Sequence, residues 1–489
     1  MNEPIGTAES SSGDLDTITQ AARWDDKYAM HVHRPPGEHA LGIAVAADGC
    51  WLTMSDGTKL LDLHGQYMSM GVGHNHPRVR AALHTAVDRL GYCVDLFSHE
   101  DKGRAAKLLI EDTMEGSDWA GRVRFVASGT EAVETALLMA RIYTDRQIVV
   151  TRQLAHHGWT EGAAAVSTST INRGDYFDLP QGRVRNASVR HAPIAPAPFC
   201  ASCPLGRTPG RCRDEKGTLA CVVETERTIR AVGVHNVAAF ITELYNAAGA
   251  YIVPEDYPAQ IREMTERLGI VWIDDEVVAG VGRTGKWWAF QHYGVTPDIV
   301  VAGKGLSSSA APVGACIVSR KMAEFFDSGI WTAAGSFHGH PLSMAAVSAT
   351  LETIIDEQLV EHAAELGEHI RRRLTDMAAA HPSLSHFEGS GLGWILNFVD
   401  PATGLPWTPT DRWYDITADG DTFKPSEFLT AECAQRGVLL FPFLPNSMHL
   451  GPPLAITQSE LDFGLDVLDE ALSLLDVQPS METADAAQL

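Results

Sequence analysis

Residues Thr296–Ser309 read TPDIVVAGKGLSSS. Between Pro297 and Gly303 the run Asp298–Ala302 is short, apolar and β-branched, which is the length of a buried strand and too short for a helix. Lys304 therefore stands just past a strand end. In an open parallel sheet, ligands bind outside the carboxyl ends of the strands. A lysine held there in a partly apolar crevice loses proton affinity and becomes a nucleophilic amine. Taken alone, a solvated surface lysine is the plainer reading, because most lysines are surface groups. The rest of the chain decides between the two.

From Arg122 onward, strand-like and helical patterns alternate. Val123–Val126, Gln147–Val150, Val237–Ile241, Ile270–Ile273 and Val313–Val318 are apolar throughout, as strands covered on both faces are. Val133, Ala136, Leu137 and Ala140 share one helical face, and Ile261, Met264 and Leu268 another. The alternation predicts an α/β fold with a mostly parallel central sheet. Upstream, Asp56-Gly57 between two apolar runs predicts a hairpin. Gly71–Pro77 (GVGHNHP) predicts a turn leading into a helix through Val79, Ala82, Val87 and Leu90. His74 and His76 as metal ligands is the other reading, but no carboxylate or further histidine lies at ligand spacing. Past Leu342 the pattern is helical to about Ala380. A long loop rich in Pro, Gly, Asp and Trp follows over Asp400–Lys424, and Glu460–Leu475 closes the chain as a helix.

The 489 residues are 45% hydrophobic and 20% charged, with a formal net charge of −24. That charge argues against nucleic acid and anionic membranes as partners, since both attract basic patches. No apolar run reaches the length of a membrane span and the N-terminal residues lack a signal-peptide layout, so a cytoplasmic location is expected. Eight cysteines without a secretion signal predict reduced thiols. Four of them, Cys200, Cys203, Cys212 and Cys221, fall in a Pro- and Gly-rich insertion over about 195–232. One C-x-x-C is present but its second half is spread out, so thiols packed in a loop are expected rather than a metal. Residues 1–20 and 476–489 read as loose tails.

Several features fall at predicted strand ends. Ser128-Gly129-Thr130 offers backbone N–H groups at a helix N-terminus, an anion site, or else a helix merely capped by Ser128 and Glu131. His156-His157-Gly158 follows a strand and offers an imidazole to lie flat against a heteroaromatic ring, or else ordinary turn residues. Asp275, within Asp274-Asp275-Glu276, is a carboxylate at a strand mouth, or part of a solvated acidic edge. A carboxylate there is what a protonated pyridine nitrogen needs, and with Lys304 one strand further on it completes a pyridoxal phosphate site. Gly280–Gly285 (GVGRTG) matches the dinucleotide fingerprint, but it runs into Lys286-Trp287-Trp288 with no helical signal, so the match is accidental.

Ile273–Trp287 (IDDEVVAGVGRTGKW), Ala302–Ala315 (AGKGLSSSAAPVGA) and Phe337–Pro341 (FHGHP) closely resemble class III pyridoxal phosphate-dependent aminotransferases, most of all the ω-amine:pyruvate and taurine:pyruvate branch. The resemblance implies a fold-type-I architecture: a large domain over 86–345, a small α+β domain built from 21–85 and 346–475, and a homodimer with active sites at the subunit interface. It implies that Lys304 is the Schiff-base lysine that moves the proton, and that Asp275 keeps the pyridine nitrogen protonated. Ser128, Gly129 and Thr130 match the phosphate loop, and Val277 the residue under the ring. His156 stands where the family usually has Tyr or Phe. Ser336 matches a threonine that reaches the phosphate of the neighbouring subunit.

Glu243 matches an acid that often holds a mobile arginine, yet the position of that arginine falls near Pro442. Tyr67, Met68, Phe441 and Phe443 are the expected substrate pocket. The loop over Asp400–Lys424, with Trp407, Trp413 and Tyr414, is expected to cover it. The implied reaction moves an amino group from a primary amine or amino acid to a 2-oxo acid, aldehyde or ketone by a ping-pong mechanism. Racemisation, epimerisation or decarboxylation on the same fold, or a non-catalytic cofactor-binding sensor, are the alternatives.

Overall fold

The computed structural model describes residues 12–30, 42–114, 117–169, 175–179, 182–185, 192–208, 210–249, 251–407 and 423–478. At its centre are seven strands: β1 (Ala120–Val126), β2 (Ile148–Arg152), β3 (Ile194–Ala195), β4 (Val237–Thr242), β5 (Val271–Asp275), β6 (Ile299–Ala302) and β7 (Gly314–Ser319). They lie side by side in the order β1-β7-β6-β5-β4-β2-β3. Only β7 runs against the others. The apolar runs are explained by cover on both faces. Along each strand successive side chains point to opposite faces. Phe125, Val150, Phe240, Trp272 and Val300 accordingly pack into one core. Their neighbours Val126, Val149, Ile241, Ile273 and Ile299 pack into another, with Val133, Ala136, Leu137 and Ala140 of the helix Gly129–Thr144.

Residues from the two ends of the chain meet in a second sheet. Trp51–Met54 and Lys59–Asp62 form the hairpin around Asp56-Gly57, with Gly57 at φ +87°, where a side chain is disfavoured. Ala44–Asp48 pairs with its outer strand, while Val438–Leu439 runs parallel to Lys59–Asp62. A third, antiparallel sheet joins Leu384–Ser390, Gly393–Phe398, Ser447–Leu450 and Pro442–Leu444. The closing helix, Gln458–Leu475, starts at a capping box between Thr457 and Glu460.

Gly280–Gly285 opens no helix, in accord with its reading as an accidental match. Its Arg283 has a structural task. The buried guanidinium donates to the carbonyls of Leu392, Pro452 and Met70, tying the central unit to segments from both chain ends. Burial holds its pKa down, at about 10, without removing the charge at neutral pH. Arg283→Ala would strand those carbonyls in the core and should cost about 3 kcal/mol or more. Urea unfolding measures this, and a loss below about 1 kcal/mol would mean that the carbonyls find other partners.

Two expectations need correction. A helix spans Ser12–Tyr28, crossing the boundary placed at residue 20. Leu15, Ile18 and Ala22 follow at three- to four-residue spacing with acids early and Lys27 in the last turn, a helix signal that a low apolar content masked. Trp407 is not a cover for the pocket: it is buried, 5.4 Å from Phe423 between ring centroids. Trp413 and Tyr414 lie outside the described residues. The acids Asp274, Asp275 and Glu276 are all buried rather than forming a solvated edge. The four clustered cysteines are free thiols lining one small apolar pocket with Phe199, Leu205 and Leu219. Among the described residues no three His, Cys, Asp or Glu side chains are grouped as a metal requires.

Candidate active site

The strands β1, β2, β4, β5 and β6 run the same way, so their carboxyl ends share one edge of the sheet. Ser128, His156 and His157, Glu243, Asp275 and Lys304 follow those ends in turn. Lys304 has φ +42°, a left-handed conformation uncommon for a side-chain-bearing residue. The short turn Lys304–Ser307 holds it there, with Leu306 N–H donating to the Gly303 carbonyl at 2.9 Å and Ser308 N–H to that of Gly305 at 3.0 Å.

Lys304 keeps some accessible surface although protein encloses it on every side, as a residue on the floor of a cleft does. Burial lowers its pKa to about 8, with Asp275 and Glu243 pulling it up and Arg283 pushing it down. An amine in this state is partly neutral at physiological pH and can act as a nucleophile or base.

Asp275 is buried and doubly held. Its Oδ2 lies 2.7 Å from His157 Nδ1, and its Oδ1 accepts the N–H of Val277 at 3.1 Å. His157 is held in turn, its backbone N–H donating to Ser167 Oγ at 2.8 Å. Beside this pair, burial raises Glu243 to about 7. On the same strand end burial and the charges of Glu276 and Asp275 push Asp274 up, and burial with Asp275 raises Glu276 to about 7, so the three consecutive acids do not all carry charge at neutral pH.

Ser128–Thr130, where a phosphate cradle is expected, lie at the N-terminus of the helix Gly129–Thr144. Ser128 Oγ accepts the N–H of Glu131 at 3.2 Å, while Glu131 Oε2 reaches back to the N–H of Ala127 at 2.8 Å. The N–H groups of Gly129 and Thr130, ahead of that bond, can face an anion. Close glycines set the shape. A Cβ on Gly129 would stand 3.1 Å from both methyls of Val277, one on Gly303 3.3 Å from Gly129, and one on Gly158 2.6 Å from Thr130. His156 keeps an exposed surface, yet the protein around its ring lowers its pKa to about 4, with Lys304 and His157 adding to the effect. Backbone donors at a helix N-terminus, an imidazole, a buried acid and an amine of lowered proton affinity thus follow neighbouring strand ends, and these residues fit pyridoxal phosphate.

The expected pocket residues fare unevenly. Gln66, Tyr67 and Met68 all take left-handed backbone angles, φ 49°, 63° and 57°. Each such residue costs on the order of 1–3 kcal/mol, and such strain gathers at functional sites. Asp62 secures the turn by accepting the N–H groups of His64 and Gly65, and His64 Nδ1 accepts the N–H of Tyr67 at 3.0 Å. Tyr67 is 54% exposed and stacks on Phe441 at 5.6 Å. Met68 is buried, its sulfur 4.0 Å from Tyr245 Oη. The side chain of Phe443 lies outside what is described. Ser336 is exposed at the surface, its carbonyl accepting from Tyr92 Oη at 2.9 Å.

Three side chains escaped the sequence reading. His157 stands beside His156 in the chain, and nothing local in the sequence tells which of the two meets the acid. His64 and His449 are buried with parallel rings 6.3 Å apart, and burial lowers them to about 3 and about 4 respectively, so both are neutral. They lie 385 positions apart in the chain, and only the folded sheets bring them together.

The family model described as Aminotransferase class-III matches residues 34–472. An S-selective transaminase from Arthrobacter sp., solved with alanine bound, superposes with a TM-score of 0.89 at 37% identity, covering 95% of this chain and 99% of that one. An S-selective transaminase from Bacillus megaterium gives 0.87 at 38%, covering 94% and 98%. The diaminobutyrate–2-oxoglutarate aminotransferase of Rhizobium meliloti is 34% identical over 85% of each chain.

Proposed function

From a chain that belongs to the class III aminotransferase family, we infer an amine transaminase that takes the amino group from a primary amine and gives it to a small 2-oxo acid such as pyruvate. The observation that carries the site assignment is the placement of Lys304 and Asp275 at the ends of adjacent parallel strands, with Gly129 pressed against Val277 between them and the helix N-terminus. Alanine bound to the Arthrobacter relative supports pyruvate as acceptor, since alanine is its aminated form. The pocket supports an amine donor. Pro442 stands near where an arginine is expected, and the Arg283 guanidinium is committed to three carbonyls.

Pyridoxal phosphate, which this family uses, supplies an electron sink for the pair left at the amino carbon. In this reading Ser128, Gly129 and Thr130 bind its phosphate, with Ser336 contributed from a neighbouring subunit. His156 and Val277 flank its ring, Asp275 Oδ2 and His157 hold the charge opposite its ring nitrogen, and Lys304 binds its carbonyl carbon. Lys304 Nζ would take the proton from the amino carbon and deliver it to the carbon on the far side of the amino nitrogen.

Leu96, Phe97, Ile330 and Phe337 are large, apolar and exposed, and Ser336 adjoins the last of these. They support a homodimer whose partner covers this face. A large unit over 86–345, a smaller one from 21–85 with 346–475, and a cytoplasmic location complete the reading. Among the described residues no helix is long and apolar enough to cross a membrane.

The test is to supply a panel of amines and amino acids with pyruvate and measure alanine. Formation with amines that lack a carboxylate on the amino carbon supports the reading. Alanine from α-amino acids alone overturns it. The pH dependence follows from Lys304. Its folded pKa is lowered, so the neutral amine grows as pH rises through about 8. The rate at which apoprotein captures pyridoxal phosphate, followed by absorbance, should therefore climb from pH 7 and level off above about 9.

A further inference from the structure

We propose that Glu243 is a positioning residue for the His157–Asp275 pair, acting on the edge of the imidazole that Asp275 does not use. The inference rests on the reading of Asp275 as the acid opposite the cofactor ring nitrogen. His157 gives Nδ1 to Asp275 Oδ2 at 2.7 Å. Its Nε2 is buried without a hydrogen-bond partner among the described residues, and Glu243 Oε2 stands 3.9 Å from it. That distance is a charge contact rather than a hydrogen bond, but both atoms are buried, where an unshielded carboxylate acts strongly on a ring.

Glu243 is fixed from several sides. Asn246 Nδ2 donates to its Oε2 at 3.0 Å and the His156 N–H approaches the same oxygen at 3.4 Å. Behind it, the buried Arg152 donates to the Glu243 carbonyl at 2.6 Å and lies 3.9 Å from Oε2. The charged and titratable groups around Glu243 are therefore His157, Arg152, Asp275, Tyr251 and Lys304. Arg152 also lies 5.8 Å from the ring of Tyr251 and 5.9 Å from that of Tyr257, which excludes water from its other face.

The consequence is an oriented row: Arg152, Glu243, His157, Asp275. A half-turn of the ring would put Cδ2 against Asp275 and Cε1 against Glu243, so the two carboxylates together favour the orientation in which a nitrogen faces each of them. Glu243 thereby fixes which ring edge His157 presents to Asp275, and it favours the protonated state at Lys304 Nζ.

The experiment uses the cofactor-loaded protein and reads the pH midpoint of its visible absorbance change, with Asp275→Asn as reference. In Glu243→Gln the midpoint should fall by about half a unit or more, because a negative charge that favours the protonated nitrogen is gone. kcat should fall more than KM changes, and Glu243→Asp should restore part of both. A purely structural role would lower the unfolding temperature and leave the midpoint in place. Should Glu243→Gln not fold, Asn246→Ala reads the same loss of fixation and predicts a smaller shift of the same sign. The inference is overturned if Asp275→Asn moves the midpoint and the folded Glu243 variants do not. If Asp275→Asn does not move it either, the reading of Asp275 itself falls, and the inference with it.

Discussion

Lys304→Ala should leave a folded protein that still binds pyridoxal phosphate but transaminates at least about four orders of magnitude more slowly. One atom, Nζ, is asked both to attach the cofactor and to carry the proton between carbons, so its removal takes away two contributions at once. Burial lowers the proton affinity of this amine to about 8, which is what makes it serviceable near neutral pH. The nearby histidines of the small sheets and the acid are poor substitutes for it. His64 and His449 are neutral but buried and committed to their own contacts, and Asp275 is tied to His157 and Val277. The fold should tolerate the change, because the left-handed angle at this position is already borne by a side-chain-bearing residue and a buried amine is itself costly. Initial rates and a thermal melt measure this together. An alanine variant that keeps more than about a hundredth of the activity would remove Lys304 from the chemistry.

Asp275→Asn is the second large effect. The two side chains have nearly the same shape, so the melt should change little, while kcat should fall by about two to four orders of magnitude. Asparagine can still meet the N–H of Val277, but it cannot hold a charge opposite a protonated ring nitrogen. A second signature separates lost charge from lost shape. Asp275 favours the protonated form of Lys304, so its neutralisation should move the Lys304 midpoint below about 8. An unchanged midpoint with intact activity would mean that the acid is only a packing group for His157.

Much of this site was legible in the chain because chemistry and topology coincide. Strands buried on both faces leave unbroken apolar runs, so the ends of β1, β5 and β6 could be located and Ser128, Asp275 and Lys304 placed on one edge. The long motifs then carried the family. What escaped depends on distant or local geometry that residue type does not encode. His157 was indistinguishable from His156 until the β2 end turned one toward Asp275. His64 and His449 meet only through the small sheets. Trp407 looked like a loop aromatic and is a core residue, since the folding of its neighbours around Phe423 decides its burial. The Ser12–Tyr28 helix has spacing and terminal charges but few large apolar residues, and composition spoke louder than periodicity.

The most direct measurement of the central claim is a half-reaction followed by absorbance. Cofactor-loaded protein is mixed with one equivalent of a primary amine, with no acceptor present, and pyruvate is added afterwards. The account predicts that the visible band of the bound cofactor decays in a single turnover as the carbonyl product appears. Pyruvate should then restore the band and yield one alanine per site, and Lys304→Ala should show neither change. A band that shifts on amine binding yet never converts, or that converts without being restored by any 2-oxo acid, would contradict amino-group transfer through Lys304.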